Sequence, residues 1–93
     1  MIVSFACKET EKVFHGRRSR HLPPDIQTRA RRRLVQLDNA QGINDMRVPP
    51  SNRLEQLSGQ MAGQWSVRIN QQWRLVFRWT GGNALDVQIM DYH

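Results

Sequence analysis

The sequence predicts an α+β domain: a twisted antiparallel sheet with two N-terminal helices packed on one face, in the order β-α-α-β-β-β. Three observations predict it. The C-terminal third alternates apolar and polar residues through three runs joined by two tight connections. Residues 24–40 repeat their apolar positions at helical spacing. A short β-prone run, "IVSFA", comes ahead of both. Ninety-three residues leave room for one modest core, so 1–93 is read as a single domain.

Taken in order, "IVSFA" is the expected first strand. "KETEKVFH" has helical composition and stops at Gly16, a plausible helix end. "RRSRH", residues 17–21, is a basic connector. "PPD" opens the second helix, since Pro24 suits a first turn and Asp25 suits the positive end of the helix dipole. Ile26, Ala30, Leu34 and Leu37 form its apolar stripe. At about 100° per residue, Arg29, Arg32 and Arg33 fall on the flank of that stripe while Arg31 points elsewhere. This flank is a solvated face with snorkelling arginines, a phosphate-facing ridge or a partner surface, and the sequence leaves all three open. Residues 41–53 read as a loop, because Pro49 and Pro50 forbid a central strand or helix interior. "NRLEQLSG" is a short strand or an extended loop anchored by Leu54 and Leu57. The meander follows. Trp65, Val67 and Ile69 face one way, as do Trp73, Leu75, Phe77 and Trp79, and then Leu85, Val87 and Ile89. Asn70, Gln71 and Gln72 make the first turn and "TGGN" the second. The apolar face needs a cover, and the amphipathic second helix supplies it. The other face collects Arg68, Arg74, Arg78, Asp86 and Gln88.

Composition bounds the function. The excess of fourteen Lys and Arg over eight Asp and Glu gives +6, and twelve of the fourteen are Arg. Arg grips phosphate bidentately and stacks on bases, so the balance leans toward nucleic acid over a merely solvated surface or an acidic protein partner. No stretch is apolar enough for a membrane span. "MIVSFAC" is a poor signal peptide, and the lone Cys7, read as a small packed hydrophobe, makes no intrachain disulfide. A cytoplasmic protein is expected. Three scattered His and one Cys provide no metal spacing.

The stretch "NRLEQLSGQMAGQWSVRINQQWRLVFRW", followed by "VQIMDYH", resembles the HigB-type toxins of the RelE/ParE superfamily. The "MI-SF" start, the GQWS-x-R-x-N-x-x-WR core and the "DYH" ending all agree, and the similarity is densest from residue 52 onward. The resemblance implies a compact RelE-like fold and one half of a type II toxin–antitoxin pair. It implies an endoribonuclease that enters the ribosomal acceptor site and cuts messenger RNA there. The partners implied are the 70S ribosome with its mRNA and a HigA-like helix-turn-helix antitoxin. That antitoxin neutralises the toxin and, with it, represses their operon, so operator DNA is reached only through the antitoxin.

Such cleavage requires no metal and no cofactor. The 2′-hydroxyl of the RNA attacks the neighbouring phosphate, and a protein can take the hydroxyl proton, offset the charge on phosphorus and protonate the leaving oxygen. By resemblance Arg74 suits the phosphate. His93 is the candidate acid or base, since imidazole titrates near working pH, and Asp91 and the terminal carboxylate favour its charged form. Tyr92 would stack on a base or hydrogen-bond a phosphate, and Asp91 would orient His93. Arg53, Trp65, Arg68 and Arg78 complete the expected RNA-contacting set. Aligned on GQWS, positions that carry a histidine and a lysine in the family hold Glu55 and Ser58. Glu55 then becomes a candidate base, and a toxin of moderate activity is expected. Three other readings compete: a ParE-like gyrase poison on the same fold, a basic RNA-binding module without catalysis, and a co-repressor whose nuclease has decayed.

Overall fold

The computed structural model describes residues 1–91. Two helices, α1 (Lys8–Phe14) and α2 (Pro24–Asn39), precede a four-stranded sheet of β1 (Glu55–Gln56), β2 (Gln64–Arg68), β3 (Trp73–Thr80) and β4 (Asn83–Asp91). Every neighbouring pair is antiparallel and the spatial order is β1-β2-β3-β4. This is the α+β architecture expected from the alternating runs and the amphipathic helix.

Helix α2 forms where its stripe demands. Pro24 occupies the first turn, Asp25 adds an acidic group there, and Ile26, Ala30, Leu34 and Leu37 are all buried. They pack on Val67, Leu75, Phe77, Val87 and Ile89 from the sheet, with Val13 joining from α1. Fully burying one such aliphatic side chain is worth about 1.5–3 kcal/mol, so this interface dominates the stability. Buried Thr10 fastens α1 to the sheet by accepting the Ile89 N–H at 2.9 Å.

Two elements differ from expectation. Residues 2–6 do not form a continuous strand. They run parallel to β4 through two isolated bridges, Ile2 with Ala84 and Phe5 with Val87, and Asp38 Oδ1 accepts the Ile2 N–H at 2.9 Å. The interruption coincides with a bulge in β4, the second difference. Val76 pairs with Gln88 but Arg78 pairs with Leu85, so β4 carries one extra residue, and Asp86 sits at φ 51° with its N–H on Ser4 Oγ. A bulge shifts the side-chain parity by one. Ala84 therefore joins Val87 and Ile89 in the core, and Leu85, expected there, lies on the opposite face across from Arg78.

The 41–53 segment is a loop built from two 3₁₀ turns, Ile43–Arg47 and Pro50–Asn52. Asn52 organises it. Its buried amide donates to Met46 O at 3.0 Å, Gln36 Oε1 at 3.1 Å and Val48 O at 3.2 Å. The β3–β4 hairpin turns on Gly81 and Gly82, both at positive φ, as the two central residues of such a turn require. Gly63 opens β2 at φ 89°, and a Cβ there would stand 3.2 Å from Arg78 Nη1. Among the described residues, no helix is long and apolar enough to cross a membrane.

Candidate active site

The face of the sheet turned away from the helices is set by register. Glu55 lies beside Ser66, Ser66 beside Val76, Arg68 beside Arg74, and Arg74 beside Met90. This face is less polar than alternation suggests, because Val76 and Ser66 are both fully buried. Arg74 lies over them. Its Nε donates to Ser66 Oγ at 2.9 Å and its Nη2 donates to the Arg53 carbonyl at 2.8 Å. Glu55 Oε1 is 3.7 Å from the same Nη2. The Arg74 side chain is 12% exposed and that of Glu55 49%, so the pair itself contributes only about 0–1 kcal/mol. The two charge-assisted hydrogen bonds hold the guanidinium, and the carboxylate is half exposed.

Arg53 can present its carbonyl because the chain turns sharply there. It follows the Pro50–Asn52 turn at φ 44°, anchored by the Asn52 amide. The sequence does not single out Ser66, since a serine in an alternating strand reads as solvent-facing. The signal available was its position two residues before Arg68 within GQWS-x-R, on the strand facing the WR pair.

The remaining expected residues fall in different places. Asp91 pairs with Trp73, one register step from Arg74, and accepts from Gln72 Nε2 at 3.0 Å. Tyr92 and His93 lie outside the described residues. Arg78 sits at the far end of β3 and is exposed, with its Nε 3.6 Å from Asp86 Oδ2. Trp65 pairs with Phe77 and packs against the core, so it belongs to the apolar face and not to the arginine face. Ser58 lines a small depression beside Glu55.

A cleft of about 600 Å³ adjoins Arg74, between α2, the 51–53 turn and the β2–β3 connection. Arg29, Arg33, Arg53 and Arg68 line it together with Ser51 and Asn70. Arg33 Nε donates to the Arg68 carbonyl at 3.1 Å, and Arg68 Nε to the Asn70 carbonyl at 3.2 Å. Burial pushes Arg33 below the ordinary arginine range, and the charges of Arg29 and Arg32 push the same way. Arg32 itself turns toward Thr28, Arg31 and Val35, so the three arginines of the α2 flank are split between two surfaces. The Asn70 side chain fixes the connection by accepting the N–H groups of Gln72 at 2.8 Å and Trp73 at 2.7 Å. Among the described residues, no group of three or more His, Cys, Asp or Glu is placed to hold a metal ion.

Residues 3–93 match the family described as the RelE-like toxin of the type II toxin-antitoxin system HigB. Toxin HigB-1 of Vibrio cholerae is 39% identical over 90 residues, covering 96% of this chain and 95% of that protein. A protein of Proteus vulgaris named Endoribonuclease HigB is 29% identical over 93 residues, covering all of both. Among solved structures, a YafQ variant from E. coli superposes with a TM-score of 0.67 at 15% identity, covering 98% of this chain and 91% of that one, which is a likeness of fold.

Proposed function

The chain belongs to the HigB-like family of RelE-like type II toxins, and from that premise we propose that it is an endoribonuclease cutting messenger RNA in the ribosomal acceptor site. The observation carrying this reading is Arg74, held at 2.9 Å and 2.8 Å by Ser66 and the Arg53 carbonyl on the sheet face turned away from the helices. A guanidinium fixed in this way is poised to meet charge that grows on phosphorus, because its orientation is set before substrate arrives.

The reaction proceeds by transfer within the RNA. The 2′-oxygen forms a bond to phosphorus as the bond from phosphorus to the 5′-oxygen of the next nucleotide breaks. The products are a cyclic phosphate and a free 5′-hydroxyl. Glu55, beside Arg74, takes the proton from the 2′-hydroxyl. His93 gives a proton to the departing 5′-oxygen, with Asp91 orienting it and Tyr92 stacking on a splayed base. Arg53 and Arg68, flanking Arg74, steer neighbouring phosphates. Metal and cofactor have no part in these steps. In the cell the protein meets its ribosome in the cytoplasm and is neutralised by a helix-turn-helix antitoxin, which carries the pair to operator DNA.

The test is a map of messenger RNA 5′ ends after brief induction, with and without translation of the reporter, for the wild type, Arg74→Ala and His93→Ala. The reading expects new in-frame cuts that require translation and both residues, with losses of about 10²–10³-fold for Arg74→Ala. Growth arrest with no cuts would overturn it and favour a gyrase poison on the same fold.

A further inference from the structure

We propose that the four-arginine cleft is a second phosphate subsite, which takes the phosphodiester of the RNA nucleotide next to the one cleaved. The choice of RNA as its occupant rests on the nuclease reading, whereas its preference for an anion rests on the cleft alone.

The argument starts from charge. Arg29, Arg33, Arg53 and Arg68 come from α2, the 51–53 turn and β2, and the fold converges them on one concavity with no Asp or Glu among the described residues of its lining. Like charges gathered in this way repel, and partial burial raises the cost. Arg33 and Arg68 donate to carbonyls, those of Arg68 and Asn70, which orient a guanidinium but do not neutralise it. A cleft of this kind gains stability when an anion enters. The planar forks of arginine suit the oxygens of a phosphodiester, and Ser51 and Asn70 add neutral polar groups that suit a nucleotide.

Its position decides which phosphate. Arg68 is the cross-strand neighbour of Arg74, and Arg53 both lines the cleft and supplies the carbonyl that holds Arg74. Directly opposed residues in such a pair have Cβ atoms about 4.5–5.5 Å apart. A strand of RNA whose scissile phosphate lies at Arg74 therefore reaches the cleft with its adjacent phosphate. An acidic protein segment would also feel the charge, but nothing about it would require continuity with Arg74.

The test uses the full chain, isotopically labelled, titrated by NMR with a fully 2′-O-methylated RNA hexanucleotide, which cannot be cleaved, and separately with a hexaglutamate peptide. Saturable shifts are expected at the backbone amides of Ser51, Asn70 and Gln71. Arg29→Gln, at an exposed position, should weaken RNA binding about tenfold, the worth of one charge-assisted contact. It should also lower the slope of log affinity against log salt by about 0.7, one phosphate contact on a single strand. Arg29→Lys should keep the slope. The subsite is overturned if the shifts lie elsewhere, if Arg29→Gln leaves affinity and slope unchanged, or if the peptide binds as tightly as the RNA. The nuclease reading fails separately: cleft binding without cuts on translating ribosomes would sink that reading and leave the subsite standing.

Discussion

Replacing Ser66 by Ala tests how much of the activity depends on holding Arg74 still. The hydroxyl is fully buried and accepts from Arg74 Nε at 2.9 Å. Alanine removes the acceptor with almost no change in volume, so packing is retained. A hydrogen bond to a charged group is worth about 1.5–3 kcal/mol. The lower end applies here, because Nη2 keeps the Arg53 carbonyl and the guanidinium retains some access to water. About 1.5 kcal/mol on the transition state is roughly tenfold in rate. A comparable loss of folding stability would lower the melting temperature by roughly 5–10 °C in a domain of this size. The assay is single-turnover cleavage of a reporter message on programmed ribosomes, with melting measured beside it. The rate at saturating toxin should fall about tenfold while the half-saturating concentration changes little, since the cleft arginines are untouched. A variant with a lowered melting temperature but an undiminished rate would show that Ser66 serves the fold alone and that Arg74 needs no such support.

Three further outcomes are expected. Glu55→Ala should lower cleavage less than His93→Ala, because the Glu55 carboxylate is half exposed and water can replace it as proton acceptor; the reverse ranking would exchange their roles. Asn52→Ala strands the Met46 carbonyl and loosens the 41–53 loop, costing about 2 kcal/mol, which a denaturant midpoint unchanged from the wild type would contradict. The Glu9 carboxyl is held below its ordinary value, chiefly by the hydrogen bond from Ser19 Oγ at 2.7 Å and further by Lys12. A depressed carboxyl contributes stability above its unfolded pKa of about 4.3 and loses it as the pH falls through the folded value. Melting temperature should therefore drop on acidification below about pH 4.5, less steeply in Ser19→Ala, and identical curves for the two proteins would remove Ser19 as the cause.

The parts of the fold legible in the sequence are those where one periodicity acts alone. The α2 stripe, from Ile26 to Leu37, is buried residue for residue because nothing competes with helical spacing there. The meander is legible through β2 and β3 and in the second half of β4, where Val87 and Ile89 are buried as expected. The bulge is not, because aspartate enters the left-handed region at small cost and no local pattern marks it. On its N-terminal side the alternation names Leu85 where the core takes Ala84. The first strand was legible as β-prone backbone but not as an edge broken into two bridges, which depends on the same bulge. Within the site, Arg74 and Glu55 were found through the resemblance, and the register brings them together. Ser66 and the Arg53 carbonyl were not legible, since one looks like a surface serine and the other is backbone. Helical spacing placed Arg29 and Arg33 on one flank, but the loop that completes their cleft is distant in the chain and invisible to periodicity.

The short first strand of the sheet has a consequence for any protein that would cover this surface. Strand β4 is shielded on its outer side by residues 2–6, which are themselves interrupted and pinned by Asp38. The opposite margin of the sheet is β1, two residues long. Among the described residues, that leaves little backbone to which a foreign strand could zip, a protection against edge-to-edge association. A partner that did extend the sheet would have to join at Glu55 and Gln56, and would then stand beside Glu55, whose carboxylate reaches Arg74. Inhibition by strand addition would thus act on the chemistry through Glu55. Inhibition through the helices would leave the Glu55 edge uncovered, and protection of Glu55 and Gln56 amides from hydrogen exchange would tell the two apart.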